Sequence, residues 1–279
     1  MTQKQHIYLM EGSNEASRLA AKDRNSATSQ QLLETGFLAA CREGAQIVDA
    51  GTGVGVVAEQ MARLANEASA RPQLLLLDAS QDRLDVAKAK LSAYACPLTT
   101  LCCQLDQIPL PDNSVDYLFC RFVFEYLPDQ QAVFREYLRI LKPGGKMVIG
   151  DLDYNAMSHY PLSPVLEQQL NSIVQAIQAS GTFDFYAGRK LYSYYYHAGL
   201  ADIKVHFYAH HLLYGEIQES DDMNWTIKLD RLRQLQEQGV LKFDFSIAEF
   251  AEGFLKFFRS PERFSYTPLI LVEGIKPTA

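Results

Sequence analysis

Val48-Asp49-Ala50-Gly51-Thr52-Gly53-Val54-Gly55 decides how this chain is read: an apolar run ends in three alternate glycines, and a helical pattern follows. Gln46 to Ala50 reads as a short buried strand, and Val56 to Ala68 has the spacing of an amphipathic helix. Glycines at a strand-to-helix turn let the backbone approach a ligand closely, and the helix behind them offers free N–H groups to an anionic group. A nicotinamide or flavin fingerprint, G-x-G-x-x-G, needs glycine or alanine where Val56 stands. The spacing is instead G-x-G-x-G, with an acid two residues before the first glycine.

Outward from this turn the alternation repeats. Gln73–Asp78 is a second apolar run, followed by a helical stretch from Asp82 to Tyr94. Pro97 to Cys103 reads as a third strand and Asp116 to Cys120 as a fourth. Gln130 to Leu141 is a helix with Phe134, Leu138 and Leu141 on one face; Pro143-Gly144-Gly145 stops it before a fifth strand, Lys146 to Asp151. Continuous apolar runs between amphipathic helices predict parallel strands covered on both faces, an α/β doubly wound fold. After Asp151 the rhythm changes. Helices are expected over Pro164–Ser180, Gly188–His197, Met223–Gln238 and Ile247–Phe258, with strands over Asp202–His211 and Thr267–Ile275. Two consecutive helices before the last strand suggest an insertion over the sheet's active edge.

Composition narrows the function. The 279 residues are 48% hydrophobic, enough for a large core and against disorder. The 26 Lys and Arg against 33 Asp and Glu leave a net charge of −7, which disfavours nucleic acid and anionic membrane surfaces as partners. No apolar run approaches the ~20 residues of a membrane span, and no apolar stretch of a secretory signal follows Met1. The five cysteines are an odd, scattered set without a C-x-x-C pair, as expected for free thiols in a reducing compartment; a cytoplasmic location is expected. His206 and His210 share a strand face, but no third ligand suggests a metal site.

At the glycine turn the chain resembles the class I, Rossmann-like S-adenosylmethionine-dependent methyltransferases. Further segments carry the resemblance in order: Asp78 at the end of the second strand, Ile108-Pro109-Leu110-Pro111-Asp112-Asn113-Ser114-Val115-Asp116 before the fourth, Phe124-Glu125-Tyr126-Leu127-Pro128-Asp129 after it, and Arg139-Ile140-Leu141-Lys142-Pro143-Gly144-Gly145 before the fifth. The branch it is most similar to is the small-molecule ubiquinone/menaquinone C-methyltransferase type. Weaker echoes are Tyr8-Leu9 with Glu15 to Leu19, and Gly188-Arg189-Lys190-Leu191 with Ala198-Gly199-Leu200.

The resemblance implies one domain on a mostly parallel, seven-stranded sheet. Residues 1–43 would be N-terminal helices capping the cofactor, 44–151 the cofactor-binding core, 152–200 a helical lid after the fifth strand, and 201–279 the remaining strands and helices. The implied cofactor is S-adenosyl-L-methionine, leaving S-adenosyl-L-homocysteine. Asp49 suits its amino group, Gly51, Thr52 and Gly53 its methionine part, Asp78 its ribose diol, and Ala79 and Leu105 the faces of its adenine. Gln104 stands where the family often has an acid for the adenine amino group; a glutamine side-chain oxygen can also accept that bond. Cys120 is expected under the sulfonium side, and Arg18 against the carboxylate, where a guanidinium presents a planar fork.

A base is expected, where the acceptor needs one, among Asp151, Tyr154 and His159 around the end of the fifth strand, histidine being best matched to neutral pH. The acceptor is expected to be a small, partly apolar molecule, and a homodimer is possible. Two rival readings stand beside this one. An RNA or protein methyltransferase would want a basic stripe or an Asn-Pro-Pro-Tyr type motif, where this chain has Cys120-Arg121-Phe122-Val123. A silent cofactor-binding module would have lost glycines or acids from the turn, and none is lost.

Overall fold

The computed structural model describes residues 28–154 and 157–278. Its centre is a sheet of eight strands: β1 (Gln46–Ala50), β2 (Gln73–Asp78), β3 (Leu98–Cys102), β4 (Val115–Arg121), β5 (Leu141–Leu152), β6 (Ser158–Tyr160), β7 (Ala201–Leu213) and β8 (Phe264–Ile275). The order is β3-β2-β1-β4-β5-β8-β6, with β7 also paired to β8. The first five strands are parallel, and β8 runs antiparallel to β5, β6 and β7. The expected seven strands are present; the eighth, β6, is a three-residue strand beside Phe264–Tyr266 that no sequence pattern marked.

Strand alternation sorts the core into two layers. Val48, Ala50, Leu118, Cys120, Met147 and Ile149 pack against the helices Gln130–Ile140 and Ala187–His197. Ile47, Leu74, Leu76, Tyr117, Phe119 and Val148 face the helices Thr28–Glu34, Val56–Glu67 and Gln81–Leu91. Asp49 and Arg121, in phase with Ile47 and Phe119, share this second face. Helix starts follow local chemistry: the side chains of Ser80, Asp129, Ser163 and Ser246 each accept an N–H three residues on. Gly55, before Val56–Glu67, has no side chain to supply such a cap, and the Asp49 carboxylate accepts a backbone hydrogen bond from Ala58 in that helix's first turn.

A third hydrophobic cluster belongs to helices outside the sheet layers. Ile173 and Ile177 of Pro164–Ser180, Trp225 and Leu229 of Glu219–Glu237, and Phe250, Phe254 and Phe258 of Ile247–Phe258 bury one another. This unit is assembled from two insertions, one after β5 and one between β7 and β8. Both leave the sheet at the edge where β5 ends, because β8 starts there and β7 ends there. The 152–200 region expected as one helical insertion is therefore divided. Pro164–Ser180 belongs to the third cluster, whereas Ala187–His197 lies on the sheet, with Ala187, Leu191 and Tyr195 fully buried. Among the described residues no helix is long and apolar enough to cross a membrane.

Candidate functional site

The parallel strands end in a cavity of 280 Å³. From β2 across β1 to β4 it is lined by Asp78, Ala79, Asp49, the turn Gly51–Val54, Arg121 and Val123. Gln104 and Leu105 close one end, and Tyr126 and Leu127 the other. Crossovers that switch sides of the sheet open such a crevice, and β1, from which one set of strands runs out through β2 and the other through β4, is the switch point.

The turn is built tightly. The Gly51 and Thr52 N–H groups donate to the Leu77 carbonyl at 2.8 and 2.9 Å, tying the loop to the end of β2. Gly51 has φ +72°, and a Cβ there would lie 2.4 Å from a Val123 methyl. Only glycine satisfies both the left-handed backbone and the close approach of the β4 loop. Gly55 is as constrained for another reason: φ is +77°, and a Cβ would meet Ala87 of the neighbouring helix at 2.8 Å.

Two carboxylates face the crevice. The Asp78 oxygens accept from the Gly53 N–H and the Ser80 N–H, both at 2.9 Å, which holds the group still while leaving acceptor lone pairs for a diol. Asp49 accepts the Thr52 hydroxyl at 2.7 Å. Burial pushes its pKa up to about 6, against the opposing pull of that hydroxyl and of the nearby Arg121 charge. Two cations also line the cavity, Arg83 and Arg121. The Arg121 guanidinium donates to Thr28 Oγ1 at 2.7 Å and Gln31 Oε1 at 2.9 Å, and it lies over the Phe122 ring.

Asp49, Gly51, Thr52, Gly53, Asp78, Ala79, Gln104 and Leu105 are thus brought together as expected. Arg18 lies outside the described residues. Cys120 is a correction: it is fully buried in the sheet layer of Leu118 and Ile149, where the Tyr137 hydroxyl donates to its sulfur at 3.4 Å. Burial pushes that thiol far above its ordinary range. The strand's phase decides this, since Cys120 is out of step with Asp49 whereas Arg121 is in step. That phase was the available signal for Arg121, which sequence reading passed over.

The expected bases are not at the cavity either. Asp151 is fully buried, accepting the Glu125 N–H at 3.0 Å and the Leu152 N–H at 2.8 Å. His159 sits on β6 with Nδ1 2.8 Å from Ser265 Oγ, its ring against Trp225, Phe254 and Phe257 in the helical unit. Tyr154 is partly exposed, 6.1 Å from the Tyr186 ring. Among the described residues no cluster of three or more His, Cys, Asp or Glu could hold a metal ion.

Residues 48–149 match the methyltransferase domain family. Over those residues, a little over a third of its length, the chain is similar to methyltransferase domains. The ubiquinone/menaquinone biosynthesis C-methyltransferase UbiE of Shewanella frigidimarina is 26% identical over 149 residues, 53% of this chain and 57% of that protein. The chain spans about half the length of the curated relatives it matches. Phosphoethanolamine N-methyltransferase 2 of Haemonchus contortus, solved with S-adenosyl-L-methionine, has a TM-score of 0.55 at 18% identity, over 95% of this chain and 58% of that one. The cyclase SpnF has a TM-score of 0.53 at 16% identity, over 92% of this chain and 82% of that one. These likenesses extend the shared fold well beyond the methyltransferase domain itself, and a cyclase among them shows that this fold does not by itself set the reaction.

Proposed function

We propose that the chain moves a methyl group from S-adenosyl-L-methionine to a small, partly apolar organic acceptor by in-line displacement. The observation that carries this reading is the order of groups along the cavity. Ala79 and Leu105 offer apolar faces to an adenine, with Gln104 at its edge. Asp78 offers acceptors to a ribose diol, and Asp49 offers an anionic oxygen to an ammonium. The backbone at Gly51 and Gly53 leaves room for the chain between them. When bound, the cofactor supplies an already activated methyl on a sulfonium.

What the protein contributes is alignment and exclusion of water. Val123, Tyr126 and Leu127 form an apolar wall at the far end of the cavity. The Tyr126 ring meets Phe183 at 5.1 Å, and Phe183 packs against the core of the helical unit, so that unit is positioned to cover the acceptor. An apolar wall with aromatic edges suits a flat, partly apolar molecule better than a polynucleotide, and the −7 net charge agrees. The UbiE relatives direct the choice of first acceptors to quinols and phenols. Asp151, Tyr154 and His159 do not line the cavity, so the reading assigns them no proton transfer.

The test is calorimetric titration with S-adenosyl-L-homocysteine, with NAD as control, followed by transfer of labelled methyl to a panel of quinols, phenols and amines. Binding of the first compound alone, with label in a small acceptor, is expected. Binding of NAD without S-adenosyl-L-homocysteine would overturn the reading.

A further inference from the structure

We propose that Arg121 recognises the cofactor's carboxylate, making with Asp49 a two-charge cradle for the zwitterionic amino-acid end; this rests on the cofactor reading above. β1 and β4 are adjacent and parallel, Asp49 opposite Phe119 and Ala50 opposite Cys120, so Arg121 lies beside the first glycine of the turn. Asp49 and Arg121 project to the same face, and both line the cavity. Arg121 is only 9% exposed, yet it lies at the wall of a ligand-sized space rather than deep in the core.

The position of the other charges supports the assignment. Among the described residues that line the cavity, Asp49, Asp78, Arg83 and Arg121 are the charged ones. Asp78 and Arg83 stand at the end of β2 and on the helix behind it, on the ribose side of Asp49. Arg121 stands on the opposite side, on β4, where the amino-acid end must lie if the ribose is at Asp78. An ammonium and a carboxylate on one carbon call for an acid and a base side by side, and Asp49 with Arg121 is that pair.

Its guanidinium is also held in place. Thr28 and Gln31 accept from one terminal nitrogen, and the Phe122 ring lies under the plane at 4.9 Å. A planar, prealigned fork loses little freedom on binding a carboxylate.

The experiment compares S-adenosyl-L-homocysteine with its decarboxylated analogue, which keeps the adenine, ribose, thioether and amine. Calorimetry on the wild-type chain should favour the carboxylate compound by about 30-fold, the size of a charge-assisted hydrogen bond. Arg121→Gln should bring the ratio to within about threefold by weakening the carboxylate compound alone, since the lost contact is to the carboxylate. Arg121→Lys, which keeps the charge but not the fork, should give an intermediate ratio and serves if the glutamine variant does not melt cooperatively. Asp49→Asn should weaken both compounds together.

A wild-type chain that binds both compounds equally overturns the inference. So does a ratio that survives both Arg121 variants, or one that Arg18→Ala abolishes while Arg121→Gln leaves it intact. Failure of the wild-type chain to bind either compound would instead overturn the cofactor reading itself.

Discussion

Asp49 shows how one residue's burial reaches function. Removal from water raises its pKa from 3.8 to about 6, so near neutrality the folded protein holds a carboxylate that its surroundings disfavour. A cationic amino group would relieve that cost, and binding should therefore require the ionised form. Affinity for S-adenosyl-L-homocysteine should fall as pH drops through about 6, approaching tenfold per pH unit below it, and Asp49→Asn should bind weakly with a flattened profile. Stability runs the other way. A carboxyl group whose pKa is raised by folding takes up a proton more readily in the native state, so its contribution favours the unliganded fold as pH falls from 6 towards 3.8 and is lost as pH rises through 6. Calorimetry and thermal melts over that interval would show both signs. Asp151 is a residue of another kind. Its two backbone hydrogen bonds predict that Asp151→Asn costs about 1–3 kcal/mol of stability, read as a lower melting temperature, with cofactor affinity within about twofold of wild type.

Among the elements, the strand-to-helix turn is the one whose geometry tolerates least. An alanine at position 51 would carry its Cβ into a Val123 methyl at 2.4 Å while holding φ at +72°. Gly51→Ala should weaken S-adenosyl-L-homocysteine at least about tenfold, from steric displacement of the β4 loop together with about 1 kcal/mol of backbone strain. Val123→Ala in the same chain removes the clash but not the strain, so the double variant should recover part of the affinity. A double-mutant cycle that is additive would show that the two residues do not touch. The helix Val56–Glu67 behind the turn is not capped by its own N-cap residue, Gly55, but its Ala58 N–H bonds to Asp49 of the preceding strand, whereas Gln81–Leu91 is capped locally by Ser80.

Over the whole molecule the hydrophobic clusters fall into two sheet layers and one separate helical unit. A ligand held by the sheet edge should stabilise what it touches and whatever unfolds with it. Hydrogen exchange with S-adenosyl-L-homocysteine bound should therefore slow at 49–57, 76–84 and 120–127, with little change over 164–180 and 247–258. Equal protection of the helical unit would mean that it closes on the cofactor itself rather than on the acceptor. At about a hundredfold excess over Kd the melting temperature should rise by several degrees, since such an excess is worth about 2.7 kcal/mol.

Chain order and local chemistry determine a great deal here. Apolar runs between amphipathic helices and one glycine turn are short-range patterns, and each element they mark from β1 to β5 is present. The helices Pro164–Ser180 and Ile247–Phe258 even begin and end where the sequence pattern placed them. The residues that line the cavity near the turn were legible for the same reason: Asp49, Asp78 and the glycines lie within a few residues of a strand end, and strand ends in such sheets meet at one edge. Packing decided the rest. Whether Cys120 or Arg121 reaches the cavity depends on the phase of β4 against β1, a one-residue difference that only inter-strand register resolves. His159 was assigned to the chemistry because it follows β5 closely, but pairing with β8 carries it into the aromatic core of the helical unit. That unit joins Pro164–Ser180 to Glu219–Glu237 and Ile247–Phe258, which begin about 40 and 67 residues beyond its end, through contacts that no local pattern encodes, because burial responds to neighbours in space rather than in sequence.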